Sequence, residues 1–270
     1  GGGTVILSVF VIGAFILYLY LAVLSLTMSS SRSLSHWLLF ASAMCAAYWA
    51  FFSLFAYNAG NLPELRRWFY ISVFGMFTYF PLNLLFVISV VPGRKLSLLP
   101  AVIILAPGIV LFILNFFYPV VFSDFIMGEM GWIFVPAAGG LLNLCWVLYA
   151  SGCFFAVIIL MVVWRLRTNL NREKKQIGLL LATQIVAEVL VVTEYLFHDI
   201  LVDIRPASIS PVLLSIWITG MVIAVKRYQF LSITPEAVSR EILDSIDELV
   251  VLVNEEEKIT YTNRKALTVF

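Results

Sequence analysis

The chain has 270 residues, 62% of them hydrophobic and 12% charged, with a formal net charge of +1. A soluble globular domain is about 45–50% apolar and about 25% charged. An ordinary buried core therefore does not absorb this excess, and lipid is the expected solvent. The near-neutral charge gives no sign of nucleic-acid binding, and no such partner is expected. Cys45, Cys145 and Cys153 all fall inside apolar segments and read as small buried hydrophobes rather than a disulfide framework. Gly1 to Gly3 look like the cut edge of a longer sequence, and the first apolar run is too long, with no basic flank before it, for a cleavable signal peptide.

A helix needs about 20 apolar residues to cross a hydrocarbon layer of roughly 30 Å. On that length, spans are expected at 5–28, 37–57, 68–91, 98–118, 141–164, 177–197 and 209–225, the last of them short. Barrel strands would be half as long and alternating. The expected fold is thus an all-α membrane bundle of seven helices. Arg32, Arg94, Lys95, Arg165, Arg167, Arg172, Lys174, Lys175, Lys226 and Arg227 fall on one side, against Arg66, Arg67 and Arg205 on the other. Cytoplasmic loops carry the Lys/Arg excess, which predicts the N-terminus outside, the C-terminus inside, and a place in the cell's inner membrane.

The segment 119–140 on the outer side is long, acidic at Asp124 and Glu129, and aromatic at Phe122, Phe125, Trp132 and Phe134. Gly128 and Gly131 between apolar stretches suggest a hairpin over the bundle mouth; the other reading is an interfacial loop with its aromatics at headgroup level. The basic loop after span five is expected to face anionic lipid.

Span six holds most of the intramembrane polarity. Gln184, Glu188 and Tyr195 share one helical face, while Glu194 and His198 stack on another. Glu188 lies near the midplane, where an ionised group costs at least about 2.5–3.5 kcal/mol, so it should face the bundle, paired or protonated. Asn83, Tyr79 and Asn143 are the candidate partners. Glu188 reads either as a ligand- or proton-sensing group or as an interhelical hydrogen bond worth about 0.6 kcal/mol. Glu194 and His198 are placed to meet an external ligand or pH change, or are plain interface residues. Pro81, in Tyr79-Phe80-Pro81-Leu82-Asn83, frees a carbonyl that Asn83 or a neighbour can satisfy, and marks a hinge or a static bend. Ser42, Ala46, Ala50 and Ser53 form a small-residue stripe suited to close helix packing.

Several chemistries lack their residues. Span seven has no lysine for a retinal Schiff base, and no metal, nucleotide or Cys-x-x-Cys motif occurs. No metal or cofactor is therefore expected within this chain. Glu188 and Glu194 lie about 240° apart around their helix, which argues against a paired-carboxylate enzyme.

Beyond Tyr228 the composition changes. Thr234, Pro235 and Glu236 open a helix, and Val238, Ile242, Ile246 and Leu249 form an apolar stripe, a candidate dimerisation seam too short to establish a coiled coil; a homodimer is expected. Strands follow at 249–253 and 259–262, with Asn263 ending the second and capping a helix. A hairpin and one helical turn are too little to bury a core, so this domain reads as truncated.

The stretch ILDSIDELVVLVNEEEKITYTNRKALTVF resembles the opening of a PAS domain. AVKRYQFLSITPEAVSREIL is similar to the junction between the seven-helix N-terminal region of sensor histidine kinases and such a domain, and TYFPLNLLFVISVVPGRK is similar to that family's third span. The resemblance implies a seven-transmembrane sensor region at 1–228, a linker helix at 229–247 and the start of an α+β PAS domain at 248–270. It further implies a two-component phosphorelay in which a small ligand or physical stimulus drives an output kinase that uses ATP, or in some relatives a cyclic-dinucleotide synthase. No catalytic residue of either kind lies in this chain. A transporter or channel with a regulatory tail is the alternative.

Overall fold

A computed structural model of the protein describes residues 2–27, 33–92, 96–128, 131–137, 139–196, 208–228, 243, 246, 248–253, 259–263, 265 and 266. The chain divides into two compact units, Gly1–Leu231 and Ser232–Phe270. The first is helical except for one hairpin: α1 (Gly2–Thr27), α2 (Leu34–Tyr57), α3 (Leu62–Val90), α4 (Leu98–Leu114), β1 (Phe122–Gly128), β2 (Gly131–Pro136), α5 (Leu141–Arg167), α6 (Asn171–Leu196), a short α7 (Ser210–Leu213) and α8 (Ser215–Tyr228).

Among the described residues, six helices are long and apolar enough to cross a membrane: Val5–Thr27, Leu34–Tyr57, Leu62–Val90, Leu141–Arg167, Asn171–Glu194 and Ser210–Arg227. The seventh expected span, α4, is apolar but has 17 residues, a length of about 26 Å. It falls short because the chain leaves the helix in a series of turns at 115–117, after Asn115. Helix ends also extend past the apolar runs. α3 starts at Leu62 rather than 68 because the Asn61 side chain accepts a hydrogen bond from Glu64 N (2.9 Å) and a proline sits in the first turn. α2 opens on Ser33, whose N–H and hydroxyl both meet His36 Nδ1 (3.2 and 2.7 Å).

Six helices close a ring in the order α1–α2–α3–α5–α6–α8, with α8 returning against α1. α4 packs outside it, on α3 and α5 only among the larger helix contacts, and shows much of its apolar surface outward. The small-residue stripe of α2 is buried at Ser42, Ala46, Ala50 and Ser53. The closest approach falls elsewhere, at Gly75 on α3. A Cβ there would lie 2.5 Å from the Cys45 carbonyl and 2.8 Å from Trp49 N.

Pro81 does not interrupt α3, which runs on to Val90. Its missing N–H leaves the Phe77 carbonyl without its helical donor. That oxygen lies against Gly108 of α4, where a Cβ would sit 2.5 Å away. The freed carbonyl is thus covered by a bare Cα–H of the neighbouring helix, a weak but recurrent contact, and not by an Asn83 side-chain hydrogen bond.

The 119–140 segment forms the hairpin. β1 and β2 pair antiparallel from Phe122↔Pro136 to Gly128↔Gly131, with a bulge between Phe122 and Asp124 and a left-handed Gly131 (φ 128°) leaving the turn. Most of its aromatics turn into the protein. Phe125, Trp132 and Phe134 are buried. Phe122, Phe125 and Phe134 gather around Phe69 at ring distances of 5.0–5.8 Å, and Trp132 Nε1 donates to the Ala59 carbonyl (2.7 Å). The hairpin therefore caps the α2–α3 connection. The reading of all three cysteines as buried fails at Cys145, which is exposed on α5; Cys153 is buried and Cys45 partly so. An apolar thiol on a lipid-facing surface has no reason to hide.

In the second unit, β3 (Val251–Val253) pairs antiparallel with β4 (Ile259–Thr262). Asn263 is fully buried. Its Oδ1 accepts from Val250 N (3.1 Å) and Ala266 N (3.0 Å), and its Nδ2 donates to the carbonyls of Leu243, Ile246 and Glu248 at 2.8–3.2 Å. One amide so ties the strand to the segments on both sides, including the expected cap. The helix expected from Thr234 lies outside the described residues except at Leu243 and Ile246.

Gly75→Ala is expected to lower stability by about 1–3 kcal/mol through overpacking, read as thermal unfolding in detergent. Gly152→Ala, with nothing within 4 Å of the new methyl, should be neutral or slightly stabilising. In the second unit, Asn263→Ala should cost roughly 2–3 kcal/mol. Amide exchange at Val250 and Ala266 would then speed up together; unchanged protection at both would show that the side chain holds nothing.

Candidate functional site in the bundle core

Residues from α1, α3 and α6 meet where the ring closes on itself. These are alternate members of the ring, so buried residues that they turn inward face the bundle interior. Tyr79 of α3 is 1% exposed and electrostatically coupled to Tyr18 of α1 and Glu188 of α6. Tyr18 is fully buried, and its hydroxyl donates to the Pro211 carbonyl at the start of the last span. That carbonyl sits where α7 gives way to α8, and the tyrosine supplies a donor from another helix.

Glu188 is buried and has no hydrogen bond or ion pair among the described residues. Gln184, one turn before it, is also buried, and its Oε1 has no partner. The Tyr79 hydroxyl is likewise unpartnered. An unsatisfied buried polar group costs roughly 1–3 kcal/mol, more if charged. Together these groups form a buried polar core with hydrogen bonds unmade, able to take up a proton, a polar ligand or an altered helix packing.

The other candidates lie elsewhere. Asn83 is buried in α3, one turn beyond Tyr79. Asn143 does not reach Glu188. Its Nδ2 donates to the Val120 carbonyl (2.8 Å), fastening the start of α5 to the hairpin's lead-in, because it stands in the first turn of its helix. Glu194 is bound into the scaffold: its carboxylate accepts from Ile209 N (2.6 Å) and Ser210 Oγ (2.7 Å). It thus caps the N-terminus of α7, where exposed N–H groups and the helix dipole favour an anion. His198 and the Tyr195 side chain lie outside the described residues.

Two participants escaped the sequence reading, Tyr18 and the Pro211 carbonyl. A signal for Tyr18 was present. Val11, Ala14, Tyr18, Leu21 and Ser25 recur at helical spacing on the buried face of α1, and Tyr18 is the large polar member of that row. Backbone carbonyls carry no such signal.

The chain matches no protein-family model, no curated protein and no solved structure. The geometry of this core therefore carries the functional argument.

The two glutamates should respond in opposite ways. Glu194→Gln weakens an anionic cap and is expected to lower stability by about 1–2 kcal/mol. Glu188→Gln removes an unpaired buried carboxylate and should leave the melting temperature unchanged or raise it. Equal losses for both variants would mean that Glu188 has a strong partner after all.

Proposed function

We propose that the chain is the receptor module of a bacterial-type signal-transduction protein in the inner membrane, with the N-terminus outside and the C-terminus in the cytoplasm. One observation carries this reading: Tyr18, Tyr79 and Glu188 are buried on three helices of the ring, with Tyr18 and Glu188 within electrostatic reach of Tyr79, and Tyr18 also grips the backbone where the last span begins. A stimulus that gives Glu188 or Tyr79 a partner alters the surroundings of Tyr18, and with them the seating of the span that leads into the second unit. Such coupling needs a stimulus that favours one packing over the other, since equal affinity for both shifts nothing.

Seven crossings are part of the proposal. α3 starts beside the hairpin, and α4 runs back along it, with Phe112 against Phe74 and Phe77 and Phe116 against Tyr70. α4 thus returns the chain to the hairpin end, and about 26 Å of apolar helix suffices for a slightly thinned bilayer. The orientation rests on the Lys/Arg excess at the end away from the hairpin. The second unit is read as the opening of a PAS domain, on its resemblance to that family and on its Asn263-centred hairpin, and a homodimer with a histidine kinase as output follows from the same likeness.

In the full-length protein, Tyr18→Phe and Glu188→Gln should each change basal phosphorylation of the downstream partner by at least about threefold. Reporter fusions should place residue 118 outside and residue 228 in the cytoplasm. Unchanged output combined with solute flux in liposomes would identify a transporter instead.

A further inference from the structure

At the end of the bundle away from the hairpin, Arg165 of α5 and Asn171, Lys174, Lys175 and Gly178 of α6 line a cleft of about 510 Å³. The four α6 residues fall at positions i, i+3, i+4 and i+7, one face of the helix. At Gly178 the Arg165 guanidinium lies where a Cβ would stand, so a larger residue would push the end of that flexible side chain aside. Three cations thus converge. Among the described residues, no carboxylate pairs with Arg165, Lys174 or Lys175. The nearby acid, Glu173, instead takes the Thr168 hydroxyl.

The position of the cleft identifies the anion. It sits where the apolar run of α5 ends, at the level of the first charged side chains. Below it, Phe155, Ile159, Val162 and Leu166 form an exposed strip along α5, 39–79% exposed. Their i, i+4, i+7, i+11 spacing makes the strip continuous, and its last residue, Leu166, follows Arg165 about 100° further round the helix, so the strip flanks the cleft. A cationic cleft flanked by an apolar track matches a charged headgroup with an acyl chain lying on the adjacent helix face. Arg offers a planar fork that fits phosphate oxygens in pairs, and the lysines add point charges.

We infer that this cleft binds the phosphodiester headgroup of an anionic phospholipid, with one acyl chain along the α5 strip. The site is independent of the receptor reading, and would exist equally in a transporter. It differs from a general attraction of basic loops to the membrane surface in having a fixed stoichiometry and a defined set of cations.

Native mass spectrometry of the full chain in a neutral detergent, titrated with phosphatidylglycerol or phosphatidylcholine, tests the assignment. Phosphatidylglycerol should be retained at one copy, roughly 10- to 30-fold more tightly than phosphatidylcholine. Lys174→Gln/Lys175→Gln should remove most of that preference and Gly178→Ala should reduce it by displacing Arg165, whereas Arg66→Gln/Arg67→Gln at the hairpin end should leave it unchanged. The lysine pair lies at the surface, so its variant tests binding even if Gly178→Ala misfolds. Equal retention of the two lipids, or a preference untouched by the lysine variant, would overturn the proposal. Displacement of the lipid by millimolar inorganic phosphate would overturn it too, by making the site one for a soluble anion.

Discussion

A backbone carbonyl or N–H released at a helix break has no water to turn to inside lipid, and must find its partner within the protein. This requirement organises the bundle. The Phe77 carbonyl freed by Pro81 is covered by Gly108 of α4. The Pro211 carbonyl takes the Tyr18 hydroxyl, and Ile209 N and Ser210 are held by Glu194. Tyr149 of α5 donates to the Ile104 carbonyl (2.6 Å), Tyr57 of α2 to that of Ser208 (2.6 Å), and Trp132 of the hairpin to that of Ala59 (2.7 Å). Each of these contacts joins two different segments, between 15 and 193 positions apart in the chain. The places where helices are imperfect are therefore the places where they are tied together. Between apolar helices in lipid there is little hydrophobic force to do that work.

Against this background the isolation of Glu188 stands out. Its helix carries two acids six residues apart, and their surroundings divide their roles. Glu194 meets the open end of α7 and becomes a cap, whereas Glu188 faces Tyr79 and the bundle interior with its hydrogen bonds unmade. A group left in that state lowers the cost of rearrangement, because an alternative packing that satisfies it regains part of what its burial costs. In the proposed receptor, the Tyr18 contact with Pro211 would carry such a change to the last span. The tightly packed Gly75 crossing of α2 and α3 offers a rigid frame for it to act against.

Membrane residence, helix positions and the charge asymmetry of the two ends were legible in the sequence. So was a polar cluster in α6, along with the turn glycines that make the hairpin possible. The site itself was only half visible. Glu188, Gln184 and Tyr79 declare themselves as polar residues in apolar runs, but Asn143 does so equally and is used for a different purpose. Type and depth alone do not separate the two. The small-residue stripe of α2 was a true signal of packing, yet the nearest approach comes from a single glycine on the facing helix.

The residue order by itself determined what is set by local composition: which segments prefer hydrocarbon, which ends carry cations, and where proline and glycine alter the backbone. Those properties belong to the transfer of one segment from water to lipid and need no neighbour. Only the tertiary structure decided that α4 lies outside a ring of six, that Tyr18 meets Pro211 across 193 positions of sequence, and that Glu194 is satisfied while Glu188 is not. Those outcomes depend on which helix lies opposite which. In a bundle, many rotations about each axis bury a similar amount of apolar surface, and a few directional hydrogen bonds and sterically open glycines select among them.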